Sequence, residues 1–321
     1  MRPTTAANAS EALDTLRARR YDLAVVDVVM PGRDGLWLAT EMQRDYPDTA
    51  VIISTAYTEL ISTATSRPDM ADLLVKPFER DRFKLALERG RQWHKQALEE
   101  LQWHAVLAKE LRERTEELCT ALTAGAHEPA DEWLTAVMAE RAPDVLRHCN
   151  RVARHTAAVG REMSLDEAAI DRLELASRLH DVGKVAMPEA LLTKPSALAP
   201  GEAAIMERHV VAGAEILACA PTLAPIARIF LASHEWFDGR GCPGRQAGEA
   251  IPLASRIIGV IDAYDLMTET GGDRRPVDRA GAMEALLRAS GTQFDPAALA
   301  AFLRLLKNTE ELGTRDWGFK G

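Results

Sequence analysis

Three absences narrow the chain before any motif is read. Cysteine is scarce: Cys119, Cys149, Cys219 and Cys242 are the four in 321 residues, and no two form a C-x-x-C pair. The chain is therefore no small cysteine-dense module, and the four read as reduced thiols of a cytoplasmic protein. Long apolar runs are absent. None reaches the roughly 18 uncharged residues that a membrane span needs, and the opening MRPTTAANASEALDTL has no apolar stretch of a secretory leader. An excess of basic charge is absent too. With 39 Lys and Arg against 48 Asp and Glu, the formal net charge is -9. Such a chain is a poor non-specific binder of nucleic acid or of an anionic membrane. A small anionic substrate stays open, provided that a metal ion or local Lys and Arg offset the charge at the site. No internal repeat and no low-complexity tract occurs. What is present is apolar material for real cores, 47% of residues, in a length that suits two domains.

Residues 10–20 have helical spacing, with Ala12, Leu13 and Leu16 on one face and Ser10 as the expected N-cap. The run at 23–29 is apolar except for Asp27, the pattern of a strand buried on both faces in a parallel sheet. Further strands read at Ala50–Ser54 and Leu73–Val75, the last ending at Lys76-Pro77. Strands alternating with helices mean α/β. From Glu79 to Leu122 there is no proline and only Gly90 among glycines, which predicts one long helix. Ala97, Leu101, His104, Ala108, Leu111, Thr115, Leu118 and Leu122 follow 4-3 spacing, so the helix is either a solvated linker or a parallel dimer helix carrying a signal. Thr123–Asp131 is a break. From Glu132 to Lys307 the pattern is helical, with loops at Pro188–Pro200 and Asp238–Pro252.

Asp27, Thr55 and Lys76 each end an expected strand. An acid, a hydroxyl and an amine at neighbouring strand ends suit phosphoryl capture: Asp27 as nucleophile, Thr55 and Lys76 holding the phosphoryl oxygens. Over residues 2–90 the chain resembles the response-regulator receiver domain, a flavodoxin-like fold, through DVVMPGRDG at 27–35, STA at 54–56 and VKPF at 75–78. The resemblance makes Asp27 the phosphoacceptor, Thr55 the switch hydroxyl and Lys76 the matching lysine. It also implies a sensor histidine kinase as partner. Such domains open with a strand ending in a magnesium-binding acidic pair. Here the first strand and first helix are missing, and Glu11, Asp14 and Asp22 fall on a helix or its exit. The missing strand would lie between the strands at 23–27 and 50–54 and leave two inner edges unpaired. The expectation is that Asp27 is not phosphorylated.

The second half carries an ordered set of metal-ligand side chains. Asp144 and His148 are four apart on one helix face. His180 and Asp181 are adjacent, with Lys184 one turn on. His209 and Gly213 share a third helical segment, His234 precedes a glycine-rich loop, and Asp262 lies in the apolar helix RIIGVIDAYDLM. Nitrogen and carboxylate donors from several helices suit iron, manganese, nickel or zinc at a hydrolytic centre. An Asp carboxylate has two oxygens and can bridge two ions that act together on a phosphate. Lys184 is placed to hold a non-bridging phosphate oxygen as a point charge. Taken singly, a helical His is more often a hydrogen-bonded core residue than a ligand; the ordered set is what carries weight.

Residues 140–300 resemble the HD-GYP proteins, a branch of the HD hydrolases. The matching pieces are HCNRVARH (148–155), LHDVGKVAMPEALLTKPSAL (179–198), ERHVVAGAEIL (207–217), SHEWFDGRGCPG (233–244), IPLASRIIGVIDAYDLMT (251–268), RRP (274–276) and FDP (294–296). The resemblance implies an all-helical domain with two or three metal ions, most often iron or manganese. It also implies hydrolysis of cyclic di-GMP to pGpG, or on to GMP. It makes Asp144, His148, His180, Asp181, His209, His234 and Asp262 the metal ligands, Asp181 and Lys184 the catalytic candidates, and Lys184 and Arg275 the substrate contacts.

Three positions depart from the pattern. Asp144 stands where the family has Glu, one methylene longer, which argues against a third ion. Ser233 stands where a second imidazole precedes His234. Gly241-Cys242-Pro243 replaces the signature Gly-Tyr-Pro. The resulting layout is an incomplete receiver-like domain at 1–88, a linker helix at 89–125 and an HD-GYP-like domain at 126–321. The leading reading is a cyclic di-GMP phosphodiesterase in two-component signalling, homodimeric, working beside diguanylate cyclase (GGDEF) proteins. The alternatives are a degenerate module that binds a nucleotide or a protein without hydrolysis, and an HD hydrolase acting on another phosphoester.

Overall fold

The computed structural model describes residues 3–56, 70–124, 129–269 and 276–311, and the chain divides into two compact units, Met1–Val106 and Leu107–Gly321.

In the first unit, three parallel strands β1 (Leu23–Asp27), β2 (Ala50–Thr55) and β3 (Asp72–Val75) lie in the order β1-β2-β3. Helix α1 (Ala9–Ala18) precedes β1, and α2 (Gly35–Asp45) connects β1 to β2. Every residue of β2 is buried, as the middle strand of a parallel sheet requires. Its side chains alternate: Val51 and Ile53 pack with Leu16, Val26, Leu38 and Met42 beneath α1 and α2. Ile52 faces the other way, with Leu74, Phe83, Ala86 and Leu87. Phe83, Ala86 and Leu87 fall on one face of α3 (Arg80–Thr123), a single helix of 44 residues.

Several sequence expectations are corrected here. The N-cap of α1 is Asn8, whose side chain accepts from Glu11 N at 3.0 Å while the Glu11 carboxylate accepts from Ala7 N at 2.8 Å; Ser10 lies inside the first turn. β1 is an edge strand, not one buried on both faces: Val25 is 42% exposed and only Val26 is fully covered. No gap separates β1 from β2. They pair directly, from Leu23 opposite Ala50 to Asp27 opposite Ser54, so the two inner edges expected to be unpaired hydrogen-bond to each other.

The second unit is helical. From Leu107 onward α3 buries Leu107, Leu111 and Leu122 in the core of this unit. Three positions of the 4-3 stripe (Leu111, Thr115 and Leu122) are thus covered within the chain, while Leu101 is exposed. The remaining helices are α4 (Ala130–Arg141), α5 (Pro143–Glu162), α6 (Glu167–Arg178), α7 (Glu189–Leu192), α8 (Pro200–Met206), α9 (His209–Cys219), α10 (Ala224–Leu231), α11 (Leu253–Thr268), α12 (Arg279–Arg288) and α13 (Pro296–Glu311). A short 3-10 turn, Val182–Ala186, follows α6. Met138, Val152, Leu173, Ile216, Phe230, Ile257, Ile261 and Phe302 form the centre of the core.

The expectation of four free thiols is also overturned. Cys119 on α3 is disulfide-bonded to Cys219 at the end of α9, with the Cα atoms 5.4 Å apart. Helix packing brings together two residues 100 positions apart, which no local spacing announces. Cys149 and Cys242 are free. No described helix is long and apolar enough to cross a membrane.

Candidate metal centre

Two helices build one wall of the site by the same i, i+3 spacing, which puts both residues of each pair on one face. On α5 the pair is His148 and Arg151; on α11 it is Asp262 and Asp265. His148 Nδ1 is 2.6 Å from Asp265 Oδ2, and Arg151 donates to both Asp265 oxygens at 2.8 and 2.7 Å. Burial opposes the charge on Asp265, but the bonds from His148 and Arg151 overcome it and hold the carboxyl below the usual range. His148 is thereby fixed in rotation, with Nε2 turned to the site. That nitrogen lies 2.9 Å from Asp262 Oδ1, but out of hydrogen-bonding alignment, so it is buried without a hydrogen-bond partner.

The opposite wall comes from the turn after α6. His180 Nδ1 is 2.7 Å from the carbonyl of Ser177, and His209 Nδ1, at the first residue of α9, is 2.7 Å from the carbonyl of Met206. A carbonyl only accepts, so both Nδ1 atoms carry the proton, and Nε2 of each ring is left for a ligand when the ring is neutral. His180 Nε2 is 3.6 Å from Asp262 Oδ1. Asp181 faces both ways: Oδ1 is 3.2 Å from His209 Nε2, and Oδ2 is 3.8 Å from His180 Nε2 and 2.5 Å from Lys184 Nζ. His234 lies edge-on to His209, with ring centroids 5.3 Å apart.

Glycine allows the close approach. A Cβ on Gly183 would sit 1.9 Å from the His209 carbonyl oxygen, and one on Gly213 would sit 2.9 Å from Gly183 N. The bare backbone of the turn therefore rests on the first turn of α9, which sets Asp181 against His209.

Ligand-type atoms gather in two sets, His148 with His180 and Asp262, and Asp181 with His209 and His234, each within 4.8 Å. A third combination, Cys149 with His180 and Asp181, meets the same spacing. Burial disfavours charge on Asp181, but Lys184 and His180 hold its carboxyl well below the usual range. Burial works against Asp262 in the same way and is overcome by His148 and His180. Burial, helped by His209, pushes His234 down to about 4, so that ring is neutral and ready to ligate at neutral pH. For His180, burial resists protonation, but Cys149 and Asp181 prevail and raise it well above its ordinary value. The ring then carries positive charge of the kind a cation would bring. The buried carboxylate of Asp181, the partly buried one of Asp262, the neutral His234 ring and the orphaned Nε2 atoms of His148 and His209 fit divalent ions with nitrogen and oxygen preference.

Six of the sequence-read ligands therefore converge: His148, His180, Asp181, His209, His234 and Asp262. Asp144 does not join them; it is exposed on the first turn of α5 and pairs with Arg147. Ser233 does not either, since its hydroxyl donates to the Phe230 carbonyl at 2.7 Å. Arg275 lies outside the described residues. Lys184 is mostly buried beside Asp181, which outweighs burial and keeps its amine protonated. In the first unit Lys76 Nζ is 2.5 Å from Asp27 Oδ2, and Thr55 ends β2 one residue beyond Ser54, the strand partner of Asp27. Sequence reasoning missed Arg151, Asp265, Cys149 and Glu235. The first two were signalled by their i, i+3 spacing from His148 and Asp262. Glu235 is buried and accepts from Gly244 N and Gln246 N at 2.5 and 3.1 Å, which shapes the loop carrying Gly241-Cys242-Pro243.

The HD domain family model matches residues 132–298, and the response regulator receiver domain model matches residues 1–88. A cyclic di-GMP phosphodiesterase of Thermotoga maritima is 28% identical, over 93% of this chain and 83% of its own. The cyclic di-GMP phosphodiesterase response regulator RpfG of Xanthomonas campestris pv. campestris is 31% identical, over 94% of this chain and 80% of its own. A 3'3'-cGAMP-specific phosphodiesterase of Vibrio cholerae is 35% identical, over 49% of this chain and 30% of its own. With the HD-domain match lying on the six converging donors and the receiver match on the three-stranded sheet, the chain belongs to the HD domain family, in the HD-GYP branch joined to a response-regulator receiver domain.

Proposed function

We propose that this chain is a metal-dependent phosphodiesterase that hydrolyses cyclic di-GMP to pGpG, or on to GMP, in two-component signalling. The observation that carries the reading is the meeting of two largely buried donor sets through the adjacent residues His180 and Asp181. His148, His180 and Asp262 would hold one ion and Asp181, His209 and His234 the other, with the two Asp181 oxygens turned to the two sets. Two divalent ions bound there would supply Lewis acidity, acidifying water and drawing charge from the phosphodiester. Iron or manganese is the proposed metal; nickel and zinc suit the same donors.

The chain's own residues do the rest. Asp265 and Arg151 hold His148 in one orientation. The Ser177 and Met206 carbonyls do the same for His180 and His209. Lys184 keeps its proton and sets a positive charge beside Asp181, where a non-bridging phosphate oxygen is to be held. Asp262 is a quarter exposed at its side chain, so the site is open on that side. Relatives named for cyclic di-GMP hydrolysis across most of this chain support the substrate. The retention of six donors speaks against a merely binding module.

The receiver domain makes a sensor histidine kinase the upstream partner. Asp27, Thr55 and Lys76 are the residues through which that input would be read. A cytoplasmic location, a homodimer and GGDEF proteins as partners belong to the same proposal. The test is to purify the full chain, measure bound metal, and assay the same sample with cyclic di-GMP and with 3'3'-cGAMP. Two ions per chain and a linear product from cyclic di-GMP are expected. Two ions per chain with no turnover of cyclic di-GMP would overturn the proposal.

A further inference from the structure

We infer that Cys149 supplies a sulfur ligand to this centre, which makes the His180–Asp181 corner a mixed nitrogen, oxygen and sulfur site. The inference rests on the metal-centre reading above and adds a donor that neither the sequence pattern nor the two nitrogen and oxygen sets contain.

Cys149 follows His148 on α5 and is 0% exposed. Its Sγ, a ligand nitrogen of His180 and a carboxylate oxygen of Asp181 all lie within 4.8 Å of one another. His180 has committed Nδ1 to the Ser177 carbonyl, so the nitrogen it offers is Nε2, the one that also faces Asp262 and Asp181. A buried cysteine ordinarily packs as a small apolar side chain. This one does pack against the core, but its sulfur also lies within reach of the imidazole and the carboxylate of the His180–Asp181 corner. Around it, His148 Nε2 and His209 Nε2 are buried with no hydrogen-bond partner. Unsatisfied buried nitrogens are costly. Cations held at the donor sets to which these nitrogens belong would remove that cost.

The extra donor also bears on Ser233. That position brings no ligand, because its hydroxyl is given to Phe230. Cys149 adds a seventh protein donor from inside the site. A thiolate is softer than imidazole or carboxylate, so it shifts preference toward zinc or iron and away from manganese.

The experiment uses the full chain loaded with cobalt(II). Wild type is expected to show the visible d–d bands of bound cobalt together with a near-ultraviolet sulfur-to-cobalt charge-transfer band. The charge-transfer band should vanish in Cys149→Ser and in Cys149→Ala while the d–d bands remain, and it should persist in Cys242→Ala. In zinc-loaded wild type, X-ray absorption should resolve a sulfur shell at about 2.3 Å beside the nitrogen and oxygen shell at about 2.0–2.1 Å. This measurement decides the matter even if both Cys149 variants fail to fold. Two cobalt ions per chain with d–d bands but no charge-transfer band, and a zinc shell of nitrogen and oxygen alone, would overturn the sulfur ligand and leave the metal centre standing. Failure to take up cobalt or zinc at all would overturn both.

Discussion

Gly183→Ala puts the architecture of the site at risk with a single methyl group. The new Cβ would lie 1.9 Å from the carbonyl oxygen of His209, 2.8 Å from its carbon and 2.7 Å from Gly213 N. All three are backbone atoms, so no side-chain rotation relieves the clash. Reaching even the tight 3.0 Å limit seen for real Cβ contacts means moving the turn and α9 apart by about 1.1 Å. That displacement falls on the Asp181–His209 pair, now 3.2 Å apart. Metal ligands are placed to within about 0.2 Å, so the shift is several times what coordination tolerates.

Two consequences are expected, on different readouts. Overpacking of this kind costs about 1–3 kcal/mol, which for a unit of this size lowers the thermal midpoint by roughly 2–12 °C. The ion proposed for Asp181, His209 and His234 should be lost, and a misplacement near 1 Å carries a turnover loss of about 100-fold. Circular dichroism, metal analysis and the cyclic di-GMP assay on one preparation read all of these. Gly213→Ala is the contrast. Its Cβ meets Phe230 Cζ at 2.2 Å, an atom on the ring's own axis that turning cannot move, but comes no closer than 2.9 Å to the turn, at Gly183 N; the strain falls first on the buried Phe230, so the site should suffer less. A Gly183→Ala protein with two ions per chain and wild-type turnover would refute the reasoning.

Four further outcomes are expected. Asp265→Asn keeps the shape but strips the charge that holds His148 and Arg151, so metal affinity should fall by about 10- to 100-fold with the fold intact, as a metal titration would show. Ser233→His restores an imidazole beside His234 and should raise metal occupancy and turnover; a wild type already holding two ions, with turnover unmoved by the change, would show that the position is tolerated. Burial pushes His155 down to about 4 from 6.5. The unfolded chain therefore takes up a proton below about 6.5 that the folded chain refuses until about 4, and stability should be full above that window and fall through it. The loss, on the order of 3 kcal/mol at most, should shrink in His155→Leu when thermal midpoints of chelated protein are compared across pH. Asp27 should stay unlabelled by acetyl phosphate with magnesium, because among the described residues no metal-type cluster includes it and its carboxylate is paired with Lys76; label that disappears in Asp27→Asn would contradict this.

The site was legible where chemistry and helix period coincide. His180-Asp181, His209, His234 and Asp262 are costly residue types inside apolar helical patterns, and such residues are retained in a core when they are paired or coordinated. Asp144 read as a ligand for the same reason, since it is one turn from His148. Periodicity assigns a face, however, and not a depth: Asp144 lies on the exposed first turn and is taken by Arg147. Cys149 was invisible because a cysteine beside a ligand histidine points elsewhere on an ideal helical wheel. Only the position of the turn after α6 brings His180 to it. The Cys119–Cys219 bond was hidden for a related reason, as α3 and α9 meet through tertiary packing alone. In the first unit, apolar composition made β1 look buried on both faces. Its place at the edge of the sheet decides the exposure of Val25, and strand order is not written in composition.

What suits the second unit to the proposed metal centre is the way each candidate donor is held. Three histidines have their Nδ1 atoms fixed by acceptors of their own: Asp265 for His148, the Ser177 carbonyl for His180 and the Met206 carbonyl for His209. Two of these acceptors are backbone carbonyls three residues earlier, at the C-terminal ends of α6 and α8, where the last carbonyls of a helix lack helical partners. A ring anchored to its own backbone is already oriented before any ion arrives, so little conformational freedom is lost on binding. Asp181 and Asp262 bring the negative charge, and they stay ionised because imidazoles and Lys184 surround them. An ion entering this site takes over a role that protonated His180 fills in its absence. Metal uptake should therefore be accompanied by proton release at neutral pH, and a titration in weak buffer that detects none would mean that His180 does not carry that charge.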